Sequence, residues 1–141
     1  MSYFGYLLNS VQALLAHPNI DVNFQNNDGW YALMLSASRS NTTSSIETFK
    51  ALLAHPDIDV NLTTHRSESL LVWICRYRNQ DSSIEIVKAL LAQPDIDVNL
   101  SDENGSSPLM IATSHKTSSI EIVKALLSHP DIDVNLQNDG G

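Results

Sequence analysis

The chain has 141 residues, of which 43% are hydrophobic and 17% charged, a balance typical of one folded domain. Its net charge of −8 disfavours binding to nucleic acid or to an anionic membrane surface. A single cysteine excludes an internal disulfide, the amino terminus lacks a signal-peptide pattern, and no segment is long enough to span a bilayer. We therefore expect an intracellular, cytoplasmic protein that binds neither nucleic acid nor membrane.

Helical patterns alternate with turns along the chain. YLLNSVQALLAHP (6–18) is the first, and it is followed by the tight-turn residues of 27–29, Asn-Asp-Gly. YALMLSASRS (31–40), LLVWICRYR (70–78) and PLMIATSHK (108–116) are predicted helices, and Pro108 suits the first turn of the last one. A second kind of helix follows each of these, in SSIETFKALLAHP (44–56), SSIEIVKALLAQP (82–94) and SSIEIVKALLSHP (118–130).

The second kind of helix has clear boundary signals. Each begins with Ser-x-x-Glu, which predicts a capping box in which the serine hydroxyl and the glutamate carboxylate satisfy free amides. The three pairs are Ser44/Glu47, Ser82/Glu85 and Ser118/Glu121. The proline after the last apolar residue cannot continue the helix, so the helix of 44–56 should end near His55.

These elements recur as a tandem repeat. Pro18, Pro56, Pro94 and Pro130 are separated by 38, 38 and 36 residues, and each stands within a variant of HPDIDVN. Such a period indicates a supersecondary unit that stacks on its neighbours to bury its apolar face. Each unit would be a turn or hairpin followed by two antiparallel helices.

The unit resembles the ankyrin repeat. NGSSPLMIATSHKTSSIEIVKALLSHPDIDVN carries the pattern best, with Ser107-Pro108-Leu109-Met110 where the family has Thr-Pro-Leu-His. The resemblance implies an all-α repeat solenoid, an ankyrin-like stack of helix-turn-helix units with connecting hairpin loops. The predicted divisions are a partial unit of second helix and turn (1–27), a unit (28–65), a degenerate unit (66–103), a unit (104–139) and the truncated start of a further turn (140–141).

Two parts of the repeat depart from the family pattern. HRSESLLVWICRYR (65–78) lacks the Asp-Gly and Thr-Pro signals, so its hairpin tip is the least defined. The first and last units match only part of the repeat pattern, so we expect the last apolar face, around Leu126, to lack a covering repeat.

HPDIDVN itself suggests a metal site, but the pattern does not support one. Asp57, Asp59 and Asn61 begin as a calcium loop does, yet Leu62 stands where that loop needs glycine. His17, His55 and His129 lie in equivalent places on different units, so they cannot share one ion. We expect a scaffold role: the aspartate turns the backbone after the helix, the isoleucine and valine point inward, and the asparagine supports the loop.

Catalysis is not indicated either. Cys75 aligns with Ala37 and Thr113, as expected for a small residue packed in a helix. The sequence contains no phosphate loop and no zinc-spaced Cys/His pair. We expect no enzyme activity, no cofactor and no bound metal.

The resemblance implies a protein–protein interaction module that uses hairpin tips and the exposed side of the first helices. Carried onto this chain by alignment, the candidate partner-binding residues are Asn27, Asp28, Trp30, Arg39, His65, Arg66, Glu68, Arg76, Tyr77, Glu103, Asn104, Ser106 and His115.

Arginine and aromatic residues concentrate in the second unit. Arg66, Arg76 and Arg78 stand with His65 and Tyr77, and Arg39 belongs to the unit before. This composition favours a site for an acidic or phosphorylated segment of a partner protein. The alternative is a solvated surface in which Tyr77 only fills helix packing.

Two further alternatives stay open. Trp30 is either an interface anchor or folds back onto neighbouring helix residues. The chain could also be a structural unit that self-associates end to end through its uncapped carboxyl-terminal end.

Overall fold

The structure is a computed structural model that describes residues 3–39, 42–77, 83–114 and 119–141, with side chains from residue 8 onward. The described helices are α1 (Tyr3–Leu15), α2 (Ala32–Ser38), α3 (Thr43–Leu53), α4 (Leu70–Tyr77), α5 (Ile84–Leu91), α6 (Pro108–Ser114) and α7 (Ile120–Leu127). The same residues contain no strand, and one isolated antiparallel bridge joins Thr63 to Ser69. Every helix predicted from the sequence pattern is therefore present, and Pro108 is the first residue of its helix, as predicted.

Two compact units divide the chain, Met1–Asp59 and Val60–Gly141. In the first unit, α3 packs against both α1 and α2, and the core centres on Tyr31, Leu33, Met34 and Phe49. In the second unit, α4 packs against α5 and α6, and α7 packs against the same two helices. Its core is formed by apolar residues of all four helices, among them Leu71, Ile74 and Leu90. The expectation that Leu126 lies on an uncovered face is wrong, because α7 packs against α5 and α6 and buries this side chain completely.

The capping boxes are the part of the helix prediction that needs correction. Thr42, and not Ser44, is the N-cap of α3, and its hydroxyl accepts a hydrogen bond from the Ser45 amide at 3.3 Å. Because Thr42 satisfies that amide, α3 begins two residues earlier than predicted. Ser119 is the N-cap of α7 and accepts from the Ile122 amide. The predicted caps Ser82 and Ser118 lie outside the described residues.

The hairpin tips share one turn, including the tip that lacks Asp-Gly. Backbone amides of Asn26, Thr64 and Asp102 donate to the carbonyls of Trp30, Glu68 and Ser106. The third residue after each of these has a positive φ, at 80° for Gly29, 56° for Ser67 and 73° for Gly105. The tip of residues 64–68 thus forms the same turn, with Ser67 in the conformation that favours glycine.

In HPDIDVN, the histidine, the second aspartate and the asparagine make recurring side-chain hydrogen bonds that hold the backbone. The imidazole Nδ1 atoms of His17, His55 and His129 accept hydrogen bonds from the amides of Asn19, Asp57 and Asp131, each at 3.2 Å. A ring nitrogen used this way holds the turn after the helix. Val22, Val60 and Val98 are buried, as predicted, whereas Val134 is exposed. The prediction that the isoleucines point inward is confirmed for Ile96, which is buried, and is wrong for Ile20, which is exposed.

The asparagine of HPDIDVN links one copy of the motif to the next, which the sequence did not reveal. Asn23, Asn61 and Asn99 donate from Nδ2 to the carbonyls of Asp57, Asp95 and Asp131, each at 2.7 Å. Their Oδ1 atoms accept from the amides of Asp59, Asp97 and Asp133 at 2.8 to 2.9 Å. We call each such pair of bonds an asparagine rung.

Candidate protein-interaction surface

In the first unit, the predicted residues lie on the tip of the first hairpin and at the end of α2. Asn27 and Asp28 are exposed, and the Asp28 amide donates to Asn26 Oδ1 at 3.0 Å. Trp30 is partly buried, and its amide donates to the same oxygen at 2.9 Å. Arg39 is exposed and is the C-cap residue of α2.

In the second unit, the predicted residues group around Glu68, where the hairpin tip meets α4. His65 and Arg66 are exposed on the tip, but Glu68 is buried, with 5% of its surface exposed. The carboxylate of Glu68 contacts the Arg76 guanidinium and lies 3.5 Å from the Tyr77 hydroxyl. Five of the predicted residues thus belong to one tip and the helix turn that it contacts: His65, Arg66, Glu68, Arg76 and Tyr77.

Arg76 uses its charge inside the chain. Its Nη1 donates to Glu68 and its Nη2 donates to Asp102, whose side chain is buried. Burial alone would lower the pKa of Arg76, but the hydrogen bond to Asp102 and the charge of Glu68 raise it above its ordinary value. With two carboxylates on one guanidinium, the group carries no surplus positive charge.

Asp102 anchors this arrangement to the next hairpin. Its Oδ1 accepts from the amides of Asn104 and Ser106, both at 2.9 Å, while Oδ2 accepts from Arg76. Burial by itself would raise the pKa of Asp102, but the Ser106 amide, the Arg76 guanidinium and the Asn104 amide together hold it below the ordinary value.

Tyr77 is the exposed aromatic residue of this group. It exposes 51% of its surface. Its ring centroid lies 5.7 Å from that of Trp73, tilted by 45°, and 6.0 Å from the Arg76 Cζ atom. The hydroxyl lies near Glu68, so three residues contact the side chain while about half of its surface stays exposed.

On the third hairpin, Glu103 and Asn104 are exposed and Ser106 is partly buried. The Asn104 carbonyl accepts from the Asp139 amide at 3.0 Å, and the Ser106 hydroxyl lies 3.5 Å from Asn138 Nδ2. Asn104 and Ser106 therefore contact the turn that follows. His115 and Arg78 lie outside the described residues.

Sequence reasoning missed Asp102 and Trp73 as parts of this surface. Asp102 takes the repeat position of Asn26 and Thr64, so a charge where the other copies are neutral was the available signal. Trp73 belongs to the surface because it is only partly buried and its ring contacts that of Tyr77.

The described residues contain neither a metal-ligand cluster nor an exposed cysteine. No three His, Cys, Asp or Glu side chains among them converge as metal ligands would. Cys75 is fully buried, and burial raises the pKa of its thiol to about 12. In the part of the chain that was searched, no helix combines the length and apolar character needed to traverse a bilayer.

A family model described as ankyrin repeats in three copies matches residues 43–138, and the chain belongs to this family. The structure is similar to an ankyrin repeat domain from Acinetobacter baumannii AYE, with a TM-score of 0.68 and 26% identity over 85% of this chain and 61% of that one. It is also similar to the ankyrin repeat protein EF0377, with a TM-score of 0.72 and 22% identity over 96% of this chain and 65% of that one. The chain spans less than two thirds of either protein's length. Comparison with curated protein sequences found no match.

The predicted family and the predicted all-α repeat class are therefore confirmed. Ankyrin repeats are generally protein-interaction modules, and the fold is typically non-catalytic. The fold does not select a partner, so the exposed side chains must do so.

Proposed function

We propose that the chain is a non-catalytic adaptor that binds another protein through Tyr77 and the hairpin tip of residues 64–68. The observation that carries this proposal is that Tyr77 exposes 51% of its surface while Glu68, Trp73 and Arg76 contact it. A side chain that is already oriented loses little conformational freedom on binding. Oriented aromatic residues are the usual anchors of protein interfaces.

The partner segment is acidic or phosphorylated, and Arg66 and His65 recognise it. Both side chains are exposed on the tip, two and three residues before Glu68. Arg76 orients Tyr77 but adds no surplus charge, because Glu68 and Asp102 neutralise it. Arg66 is therefore the principal cation for an acidic ligand, with a guanidinium suited to bidentate bonds with carboxylate or phosphate.

Each compact unit carries further candidate partner-binding residues. Asn27, Asp28, Trp30 and Arg39 would contact a partner on the first unit, and Glu103, Asn104 and Ser106 would do so on the second. His115 belongs to the same proposal by alignment with Arg39 and Tyr77.

Peptide selection tests the proposed surface. Random peptides, with and without phosphoserine, are selected on the intact chain, and their affinities are then measured for the variants Arg66→Glu and Tyr77→Ala. We expect the selected peptides to be acidic or phosphorylated. Their affinity for each variant should be lower than for the wild type by about tenfold or more. Lys88→Glu is the matched charge reversal, because Lys88 is exposed on α5, away from the tip. Equal binding to the wild type and Arg66→Glu would contradict the proposal.

End-to-end self-association is the second candidate, and the asparagine rungs favour it. Asn135 is the fourth asparagine of the series, and no described residue bonds its side-chain amide. Val134 beside it is 60% exposed, whereas Val60 and Val98 are 3% and 1% exposed. Asp21 holds the repeat position of Asp59, Asp97 and Asp133, whose backbone amides each donate to the Oδ1 atom of a rung asparagine. The Asp21 amide of a second copy is therefore a complementary donor for Asn135.

Light scattering over a wide concentration range tests this candidate. Self-association predicts a mass that grows with concentration and returns to the monomer value in the variant Val134→Lys. A monomer at all concentrations would exclude it and leave the adaptor proposal intact.

A further inference from the structure

An apolar groove of about 410 Å³ lies between α1, α2 and α3 in the first unit. Val11 and Leu14 line it from α1, Leu35 from α2 and Leu52 from α3. Arg39 and Asp21 are the charged residues of its lining. No residue of the proposed surface on the second unit takes part in it.

Leu14 is exposed where every other copy of the repeat buries its leucine. Leu52, Leu90 and Leu126 hold the same repeat position and are 7%, 0% and 0% exposed, whereas Leu14 is 61% exposed. Leu35, which faces the same groove, is 42% exposed. An open apolar groove with two such leucines is unfavourable in water, because apolar surface gains free energy on burial.

The second unit shows what fills the equivalent place. There α4 packs against α5 and α6 and buries Leu71, Ile74 and Cys75 almost completely. Leu14 of α1 and Leu35 of α2 precede Leu90 of α5 and Ile111 of α6 by the same 76 residues. The groove beside α1 and α2 is therefore the counterpart of the place that α4 occupies, and a helix of about two turns fits it.

The charge of Arg39 favours a helix that carries an acidic residue. Arg39 is exposed, and no carboxylate of the described residues forms an ion pair with it. A helix that enters the groove would bring its polar edge beside this guanidinium. An acidic residue there would strengthen binding by electrostatic attraction, and a basic residue would weaken it by repulsion.

We propose that this groove binds a two-turn amphipathic helix of a partner protein, with its apolar face on Leu14 and Leu35 and an acidic residue beside Arg39. This site shares only Arg39 with the candidate partner-binding residues and contains neither Tyr77 nor the tip of residues 64–68. It follows the helix-in-groove mode of recognition, in which apolar residues of one helix face supply affinity and flanking charges supply orientation.

The test uses a fluorescent, hydrocarbon-stapled peptide with the α4 sequence of Leu70–Tyr77, the change Cys75→Ala and a Glu-Glu extension. The staple is needed because so short a peptide is not helical in water. Anisotropy with the intact chain should show saturable binding. Leu14→Glu and Leu35→Glu should each weaken it by about tenfold or more, since each loses the burial of a leucine.

Control variants distinguish binding at this site from nonspecific hydrophobic binding. Leu127→Glu changes an exposed leucine of α7, 49% exposed, and should leave binding within about twofold of the wild type. A Lys-Lys extension should bind more weakly than Glu-Glu to the wild type, and Arg39→Glu should reverse this preference. All the altered leucines are exposed, so circular dichroism should show an unchanged fold.

Three results would overturn the proposal. One is the absence of saturable binding, and another is an equal loss with Leu127→Glu. The third is a wild-type dimer that Leu14→Glu dissociates, because the occupant of the groove would then be a second copy of this chain.

Discussion

Ser67 has a left-handed backbone conformation that glycine holds in the other hairpin tips. Its φ of 56° matches those of Gly29 and Gly105, at 80° and 73°. A residue with a Cβ atom is strained there, so Ser67→Gly should raise the free energy of unfolding by about 1 kcal/mol. Urea denaturation measures this value. Ser106→Gly is the control, because Ser106 has no positive φ and should gain nothing. A loss of stability in Ser67→Gly would contradict the common turn.

Arg76 links two buried carboxylates, so its removal should be costly. Arg76→Ala leaves Glu68 and Asp102 buried without their partner and should lower the free energy of unfolding by about 3 kcal/mol. Arg66→Ala, at an exposed position, should change it by less than about 0.5 kcal/mol. Equal, small effects in thermal or urea unfolding would mean that Arg76 is only a solvated surface residue.

Asp102 predicts a specific acid sensitivity. Burial opposes its ionisation, but the Ser106 amide, Arg76 and the Asn104 amide hold its pKa below the ordinary 3.8. The ionised carboxylate therefore adds to stability above pH 3.8, and this contribution is lost as pH falls through the lower folded-state pKa. Asp102→Asn should reduce the loss of unfolding free energy between about pH 5 and pH 2. Urea denaturation at a series of pH values measures this loss, and equal losses in the wild type and Asp102→Asn would contradict the prediction.

At the scale of elements, the asparagine rungs make the motif HPDIDVN a connector between copies. Asn61 makes two hydrogen bonds to the backbone of the next copy, whereas Asn135 makes none that the described residues show. Asn61→Ala should lower the free energy of unfolding by about 1 to 2 kcal/mol, and Asn135→Ala should leave it nearly unchanged. The two variants alter the same residue type in the same motif. Equal effects in urea denaturation would contradict a stabilising role for the asparagine rungs.

Local signals explain why the helices were predictable. Apolar periodicity, proline positions and turn residues act within a few neighbours, and they placed all the helices and the tips with Asp-Gly or Asn-Gly. SNTTSS offered several hydroxyl residues as caps for α3, and sequence alone could not choose Thr42 over Ser44.

At the scale of the whole molecule, the repeat pattern defined the family but not the use of each charged residue. Arg76 was predicted as a ligand-binding cation, yet its guanidinium contacts Glu68, 8 residues away, and Asp102, 26 residues away. The rungs join residues 34 to 36 positions apart, at Asn23 and Asn61 with the following copies. Such pairs depend on the register of one repeat on another, which the composition of a single repeat does not specify.

The exposed leucine of α1 shows the same limit. The repeat pattern predicts that Leu14 is a core leucine like Leu52, Leu90 and Leu126. In the structure it lines the groove between α1, α2 and α3 and is 61% exposed. A repeat position is buried by its neighbours in space and not by its own sequence.

The most direct test of the adaptor proposal is a map of backbone amide shifts in ¹⁵N-labelled protein as a selected acidic peptide is added. At 15.6 kDa the chain suits this measurement. If the adaptor proposal is correct, saturable shift changes will cluster at residues 64–68 and at the end of α4, around Tyr77. Changes confined to the second helices α5 and α7, with the tip and Tyr77 unaffected, would contradict it.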